Sequence, residues 1–180
     1  WEILDAFQDA AAEIGIPKTN DFNQGNNEGC GYFQVNQNKG VRWTTAKGFL
    51  KPVMDRPNLT VLTEAQATGV TLDGKRCTGL TIVHNGRLAR VKAGRETILS
   101  GGSIGSPQLL QLSGIGPADH LKDLGIAIHH DLPGVGENLQ DHLQIRAVYK
   151  VKNTETLNER ANSLIGKMGI GLEYFLFKRG

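Results

Sequence analysis

Five histidines, His84, His120, His129, His130 and His142, carry the side chains best suited to moving a proton or holding a metal. Two of these positions come with carboxylates, in His129-His130-Asp131 and Asp141-His142. Neighbours on an extended chain point to opposite sides, so neither cluster converges on an ion, and no metal site is expected. Asp141 beside His142 could form a proton-transfer dyad, but structural hydrogen bonding accounts for the pair more simply. Ser106 and Ser113 lie among glycines yet outside any Gly-x-Ser-x-Gly elbow, which leaves a serine hydrolase without support. Cys30 and Cys77 form no Cys-x-x-Cys spacing and could make only one disulfide. Reduced, partly buried thiols are expected, as in a cytosolic protein. Asn58-Leu59-Thr60 is a glycosylation sequon, relevant only in a secreted chain.

The backbone offers more than the side chains do. In GGSIGSPQLLQLSGIG, Gly101 to Gly116, Ser106 suits a helix N-cap and Pro107 the first helical position, where no amide hydrogen is needed. Leu109, Leu110 and Leu112 supply apolar contacts, and Gly114 suits the left-handed residue that ends a helix. The segment therefore reads as strand, glycine turn, short helix and glycine stop. In open α/β sheets such turns lie at the carboxyl ends of strands, where backbone approaches a ligand. The turn alone is weak support for a cofactor. Gly114-Ile115-Gly116 and Gly134-Val135-Gly136 both lack the third glycine of a dinucleotide fingerprint, and no P-loop lysine is present.

The elements that would position these residues follow from periodicity. Trp1, Leu4, Phe7, Ala11 and Ile14 recur at helical spacing, and Gly15 and Pro17 stop that helix. Residues 19–40 are rich in Asn and Gly, which favours turns, while Tyr32, Phe33 and Val35 give the loop something to pack. Thr44 to Met54 could form a short helix. Val61 to Leu72, Cys77 to His84 and Leu88 to Ala93 read as a three-stranded antiparallel meander. Asp73-Gly74 and Asn85-Gly86 are its hairpin signals. Glu96 to Leu99 reads as a fourth strand and Ala118 to Leu124 as a short helix. Ile145, Ala147, Tyr149 and Val151 alternate as in a half-buried strand. Asn162 to Lys178 is apolar at helical spacing, weakened by Gly166, Gly169 and Gly171.

Composition bounds the function classes. Lys and Arg total 20 against 18 Asp and Glu, a net charge of +2 without a concentrated basic run, so no nucleic-acid partner is expected. No apolar stretch approaches the roughly 18–20 residues of a membrane span. Glycine is the outlier, with 23 of 180 residues and no collagen-like period. A start at Trp1, inside a helical pattern, suggests a piece of a longer polypeptide.

In order, the segments resemble the glucose–methanol–choline family of flavoprotein oxidoreductases, particularly its choline- and alcohol-dehydrogenase-like members. Three blocks carry the likeness: GSIGSPQLLQLSGIG at Gly102 to Gly116, GVGENLQDH at Gly134 to His142, and GYFQVNQNKGVRWTTAKGFLKP at Gly31 to Pro52 with Pro57-Asn58-Leu59-Thr60-Val61. The implied fold is α/β with α+β elements: part of a dinucleotide-type FAD-binding domain interwoven with part of an antiparallel-sheet substrate domain. On that analogy residues 58–142 belong to the FAD-binding domain, residues 1–57 to a substrate-domain or linker portion, and residues 143–180 to the start of the substrate domain.

The resemblance implies oxidation of a small-molecule alcohol by hydride transfer to FAD, with electrons passing to oxygen or another acceptor. Ala67 matches a position whose backbone holds the adenine, and Ser100, Gly101 and Gly102 match a turn passing close to the flavin. Asn138, Asp141 and His142 match a block near the cofactor; for each of these residues a purely structural turn is the alternative. The family's glycine-rich fingerprint has no counterpart here, and its catalytic histidine is expected beyond Gly180. The chain alone is thus expected neither to bind FAD tightly nor to turn over substrate. A non-catalytic binding or scaffold protein retaining the fold is the competing reading. A nicotinamide-dependent dehydrogenase is a third, though it leaves the GSIGSPQLL block unexplained. A cytoplasmic or membrane-associated location follows only by resemblance. The alcohol, the acceptor and the oligomeric state are not legible.

Overall fold

The computed structural model describes residues 1–178. Arg179 and Gly180, the end of the expected 143–180 portion, lie outside the described residues. The chain divides into two units, one of Trp1–Leu59 with Arg146–Gly180 and the other of Thr60–Ile145.

The first unit opens with helix α1, Glu2–Glu13, which carries acidic Glu2 and Asp5 in its first turn, where the helix dipole favours them. The Asn/Gly-rich segment that follows is irregular, as its composition requires. It is held by local side-chain bonds such as Asn23 N–H to Asp21 Oδ1 at 2.8 Å, and by a bridge between Lys18 and Cys30. Strands β1, Gln37–Asn38, and β2, Val41–Arg42, make a minimal hairpin. The expected helix at 44–54 is a π-helical turn, Ala46–Leu50, running into a 3₁₀ turn, Lys51–Val53.

The second unit is built on a meander of β3, Ala65–Asp73, β4, Arg76–His84, and β5, Arg87–Lys92, in the order β3-β4-β5. Both hairpins have two-residue loops, closed by Asp73↔Arg76 and His84↔Arg87. Asn85 and Gly86 have φ of 50° and 74°, the pair of left-handed residues that a type I′ turn demands. Pairing slips between Ala67 and Gly69, so Thr68 is an extra residue in β3. Ile82, in the central strand, is buried.

Glu96 to Leu99 is not a strand. After Ala93 N–H bonds the Thr78 carbonyl at 2.8 Å the chain leaves the sheet, and a β-leaning run without a ladder partner stays irregular. Helix α2 spans Gly102–Leu112, so it starts four residues before the expected Ser106 cap. Pro107 lies inside it rather than at its first position, which removes one backbone bond in an 11-residue helix. Gly114 follows at φ 79°, as the glycine stop requires. Strand β6, Ile115–Gly116, helix α3, Ala118–Asp123, and strand β7, His130–Asp131, come next, with β6 and β7 paired in parallel. Leu121 of α3 is fully buried.

The alternating run from Ile145 to Val151 is also not a strand: Ile145 and Tyr149 are 86% and 68% exposed, with no neighbouring strand to pair with among the described residues. The chain then returns to the first unit as α4, Leu157–Asn162, and α5, Leu164–Phe177. A capping box between Thr156 and Glu159 starts α4, and Ser163 caps α5 through the Gly166 amide. Among the described residues no helix is long and apolar enough to cross a membrane.

Burial is sparse. Among the described residues the buried apolar side chains are Ala11, Ile82, Leu121 and Val135. The accessible surface is 15540 Å², whereas even two separate compact units of half this mass would expose roughly 10,000 Å² together. Ile98, Ile104, Leu139, Leu143, Leu164 and Phe175 are among the side chains left without apolar cover.

Candidate functional site

The three groups of residues singled out in the sequence all fall in the second unit, and α2 is the element that links them. Its N-terminus follows Ser100, Gly101 and Gly102. No side chain caps it, while the Gly101 amide is taken by Ser106 Oγ at 2.9 Å. Ser106 therefore folds back onto the turn from within the helix instead of opening it. Gly102 has φ 79°, and a Cβ there would meet nothing within 4 Å, so this stretch of backbone is open to close approach. Uncapped first-turn amides and the positive end of the helix dipole suit an anionic or oxygen-rich ligand.

The C-terminal half of α2 reaches in two directions. Gln111 Nε2 donates to the Val135 carbonyl at 3.0 Å, tying the helix to the turn that leads to Asn138. Ser103, Ile104, Pro107, Gln108 and Gln111 then face Gly136, Glu137 and Leu139 across a cleft of about 370 Å³. In the other direction, Ser113 Oγ accepts the Val70 amide at 2.8 Å and its hydroxyl donates to the Leu109 carbonyl at 2.6 Å. Val70 lies two residues past the bulge at Thr68, where pairing with β4 has resumed, so the bond ties α2 to β3 just beyond the bulge.

Ala67 lies half-buried on the other side of that bulge, paired with Ile82, and its carbonyl accepts Gln66 Nε2 at 3.2 Å. Asn138 adopts φ 57°, a left-handed conformation that Asn tolerates, and is exposed. Asp141 and His142 do not form a side-chain dyad: Asp141 Oδ1 accepts the His142 backbone N–H at 2.9 Å. Both lie on irregular, exposed chain, outside the residues that border the α2 cleft.

The His129-His130-Asp131 cluster is structural. Both histidine amides donate to the Gly114 carbonyl, at 2.8 and 3.0 Å, and Asp131 Oδ1 accepts the Ala118 amide at the start of α3. Among the described residues no group of three or more His, Cys, Asp or Glu side chains converges as a metal site. Cys30 and Cys77 are free and half-buried.

Gln111 is not among the residues whose type and spacing point to a site, and Ser113 stands out in the sequence only as a candidate nucleophile. The usable signal for Ser113 was its place between a helix end and a glycine stop, where a hydroxyl can bond the carbonyl four residues back. Gln111 carries no comparable local signal. Two ionisable groups of the first unit, Asp21 and Tyr32, are perturbed by their hydrogen bonds. A backbone bond from Asn23 is the main cause that lowers the Asp21 pKa, and donation to Asp5 at 2.6 Å is the main cause that raises that of Tyr32.

Residues 2–144 match the GMC oxidoreductase family. The chain is 44% identical over 178 residues to an oxygen-dependent choline dehydrogenase of Photobacterium profundum, covering 99% of this chain and 31% of that protein. It is 43% identical over 176 residues to an alcohol dehydrogenase (acceptor) of Pseudomonas putida, covering 97% and 32%. Among solved structures, an FAD-dependent oxidoreductase from Chaetomium thermophilum matches with a TM-score of 0.84 at 27% identity, over 98% of this chain and 31% of that one. Pyridoxine 4-oxidase from Mesorbium loti matches with a TM-score of 0.62 at 32% identity, over 72% and 26%. The chain spans about a third of the length of the curated relatives it matches.

Proposed function

The chain belongs to the GMC oxidoreductase family, and from that premise we propose that it is part of an FAD-dependent enzyme that oxidises a small-molecule alcohol. The observation that carries this reading is the match over residues 2–144, which includes every segment that α2 links. Bound FAD would supply the hydride acceptor, and a second acceptor, oxygen or another oxidant, would reoxidise it.

The residues present fit such a group. The open backbone at Gly102, with no side-chain cap on α2, leaves room and donors for the flavin end of the cofactor, and the lack of a side chain at Gly101, where a Cβ would crowd Gly105 and Ser106, lets the turn stay tight. Ser100 ends the chain segment that delivers this turn. On the other flank of α2, the backbone of Ala67 would hold the adenine, and Asn138, Asp141 and His142 would approach from the turn anchored by Gln111. These residues bind and orient; none is assigned the proton transfer. The His142 backbone amide donates to Asp141 Oδ1, and on the family resemblance a histidine beyond Gly180 would accept the proton.

The proposed division assigns residues 58–142 to FAD binding and the flanks 1–57 and 143–180 to the substrate side. The separation of Thr60–Ile145 from the two flanking segments supports it. The bare apolar surface supports a chain that is completed by further structure before it binds FAD well. A cytoplasmic or membrane-associated location is part of the same proposal. The test is anaerobic mixing of the full-length enzyme with a panel of primary alcohols, choline included. Bleaching of the flavin band by at least one of them is expected, and a flavin that no alcohol reduces would overturn the assignment.

A further inference from the structure

Ser113 occupies a position whose importance lies in what it does to β3. A bulge at Thr68 breaks the β3–β4 ladder between Ala67 and Gly69, and two residues on, where β3 is again paired with β4, the Val70 amide donates to Ser113 Oγ at 2.8 Å. The same hydroxyl donates to the Leu109 carbonyl at 2.6 Å, so its position is fixed by the helix and not by rotation of a free side chain. The site is tight: Gly69 is buried, and a Cβ there would lie 3.3 Å from Thr81 Oγ1 and 3.5 Å from Ser113 Oγ. Bulges re-aim the strand that carries them. The strand segment before this bulge, Glu64 to Gln66, borders a cleft of about 360 Å³ with Val83, Asn85 and Gly86.

We propose that Ser113 is a positioning residue for the cofactor: by holding the Val70 amide it sets the path of the Glu64–Ala67 backbone relative to α2, and so the spacing between the backbone that holds the adenine and the glycine turn that faces the flavin. This rests on the FAD reading above. It makes cofactor affinity depend on a hydroxyl that touches neither cofactor nor substrate.

The test uses the full-length enzyme, stripped of FAD and titrated with it, carrying Ser113→Ala or Ser113→Thr. Ser113→Ala is expected to weaken FAD binding about tenfold while kcat at saturating FAD stays within twofold of the parent. Ser113→Thr, which keeps the hydroxyl, is expected to recover the affinity to within threefold. Should Ser113→Ala not fold, Ser113→Cys, of similar volume and a poorer acceptor, reads the same loss. FAD affinity within twofold of the parent in Ser113→Ala, or in Ser113→Cys where that variant carries the test, overturns the role of Ser113; so does a kcat that falls in step with affinity. A parent enzyme that binds no FAD overturns the functional reading instead.

Discussion

Gln111 bonds the Val135 carbonyl at 3.0 Å, and this contact carries the 134–142 turn on the same helix whose N-terminus presents Gly101 and Gly102. Two segments more than twenty residues apart in sequence thus keep a fixed spacing. Gln111→Ala is expected to cost about 1 kcal/mol or more of stability, because the half-buried Val135 carbonyl loses its donor. Denaturant unfolding of the full-length enzyme measures the loss. An unchanged midpoint would mean that the turn is held by something else.

Gly114 separates conformational strain from crowding when it is compared with Gly125. Both have positive φ, 79° and 71°, but a Cβ at Gly114 would overlap the Ala127 carbonyl oxygen, whereas one at Gly125 would meet nothing within 4 Å. Gly125→Ala is expected to cost about 1 kcal/mol, the price of a left-handed L-residue. Gly114→Ala should cost clearly more, about 2 kcal/mol or above, because the α2 stop and the Ala127–His129 segment ahead of β7 must also move apart. Equal losses in paired unfolding curves would contradict the close approach.

Helix α4 is six residues long and depends on its cap. Thr156 Oγ1 accepts the Glu159 amide at 3.3 Å while Glu159 Oε2 accepts the Thr156 amide at 2.9 Å. Thr156→Ala is expected to cost about 1 kcal/mol and to raise amide exchange through Leu157–Asn162. Exchange measured by mass spectrometry checks it, with unchanged protection there as the adverse result.

Tyr32 gives the chain a pH response in the alkaline range. Its hydroxyl donates to Asp5 Oδ1 at 2.6 Å, and that bond is the first cause raising its pKa, so the folded state favours the protonated phenol. The stabilisation is complete below the unfolded value of about 10 and is lost as pH rises through the higher folded value. The phenolate absorbance of Tyr32 should therefore appear at higher pH than that of a free tyrosine, and Asp5→Ala should bring it back. A Tyr32 midpoint indifferent to Asp5→Ala would remove the pair from the account.

Local signals made the meander legible and left its connections illegible. Asp73-Gly74 and Asn85-Gly86 encode tight turns within a few residues, and both hairpins form where these pairs lie. The start of α2 was displaced because Ser106-Pro107 reads as a helix opening, whereas Gly102, free to take φ 79°, starts the helix earlier and Pro107 is tolerated within it. The alternation from Ile145 to Val151 shows which side chains share a face but contains no information about a partner strand. The same holds for the linking bonds: Ser113 to Val70 spans 43 positions, and nothing in the local pattern of either residue announces the other. The glycine turn is thus legible in the sequence, whereas the bonds by which α2 ties β3 and the 134–142 turn together are not.

The central claim is that α2 holds three stretches of backbone and side chain around one FAD, and a structure of the full-length enzyme with FAD bound tests it most directly. The account predicts the Gly101–Gly102 backbone against the flavin, the Ala67 backbone within hydrogen-bond distance of the adenine, and the 138–142 segment lining the same cofactor. FAD bound with none of these three segments in contact would contradict it.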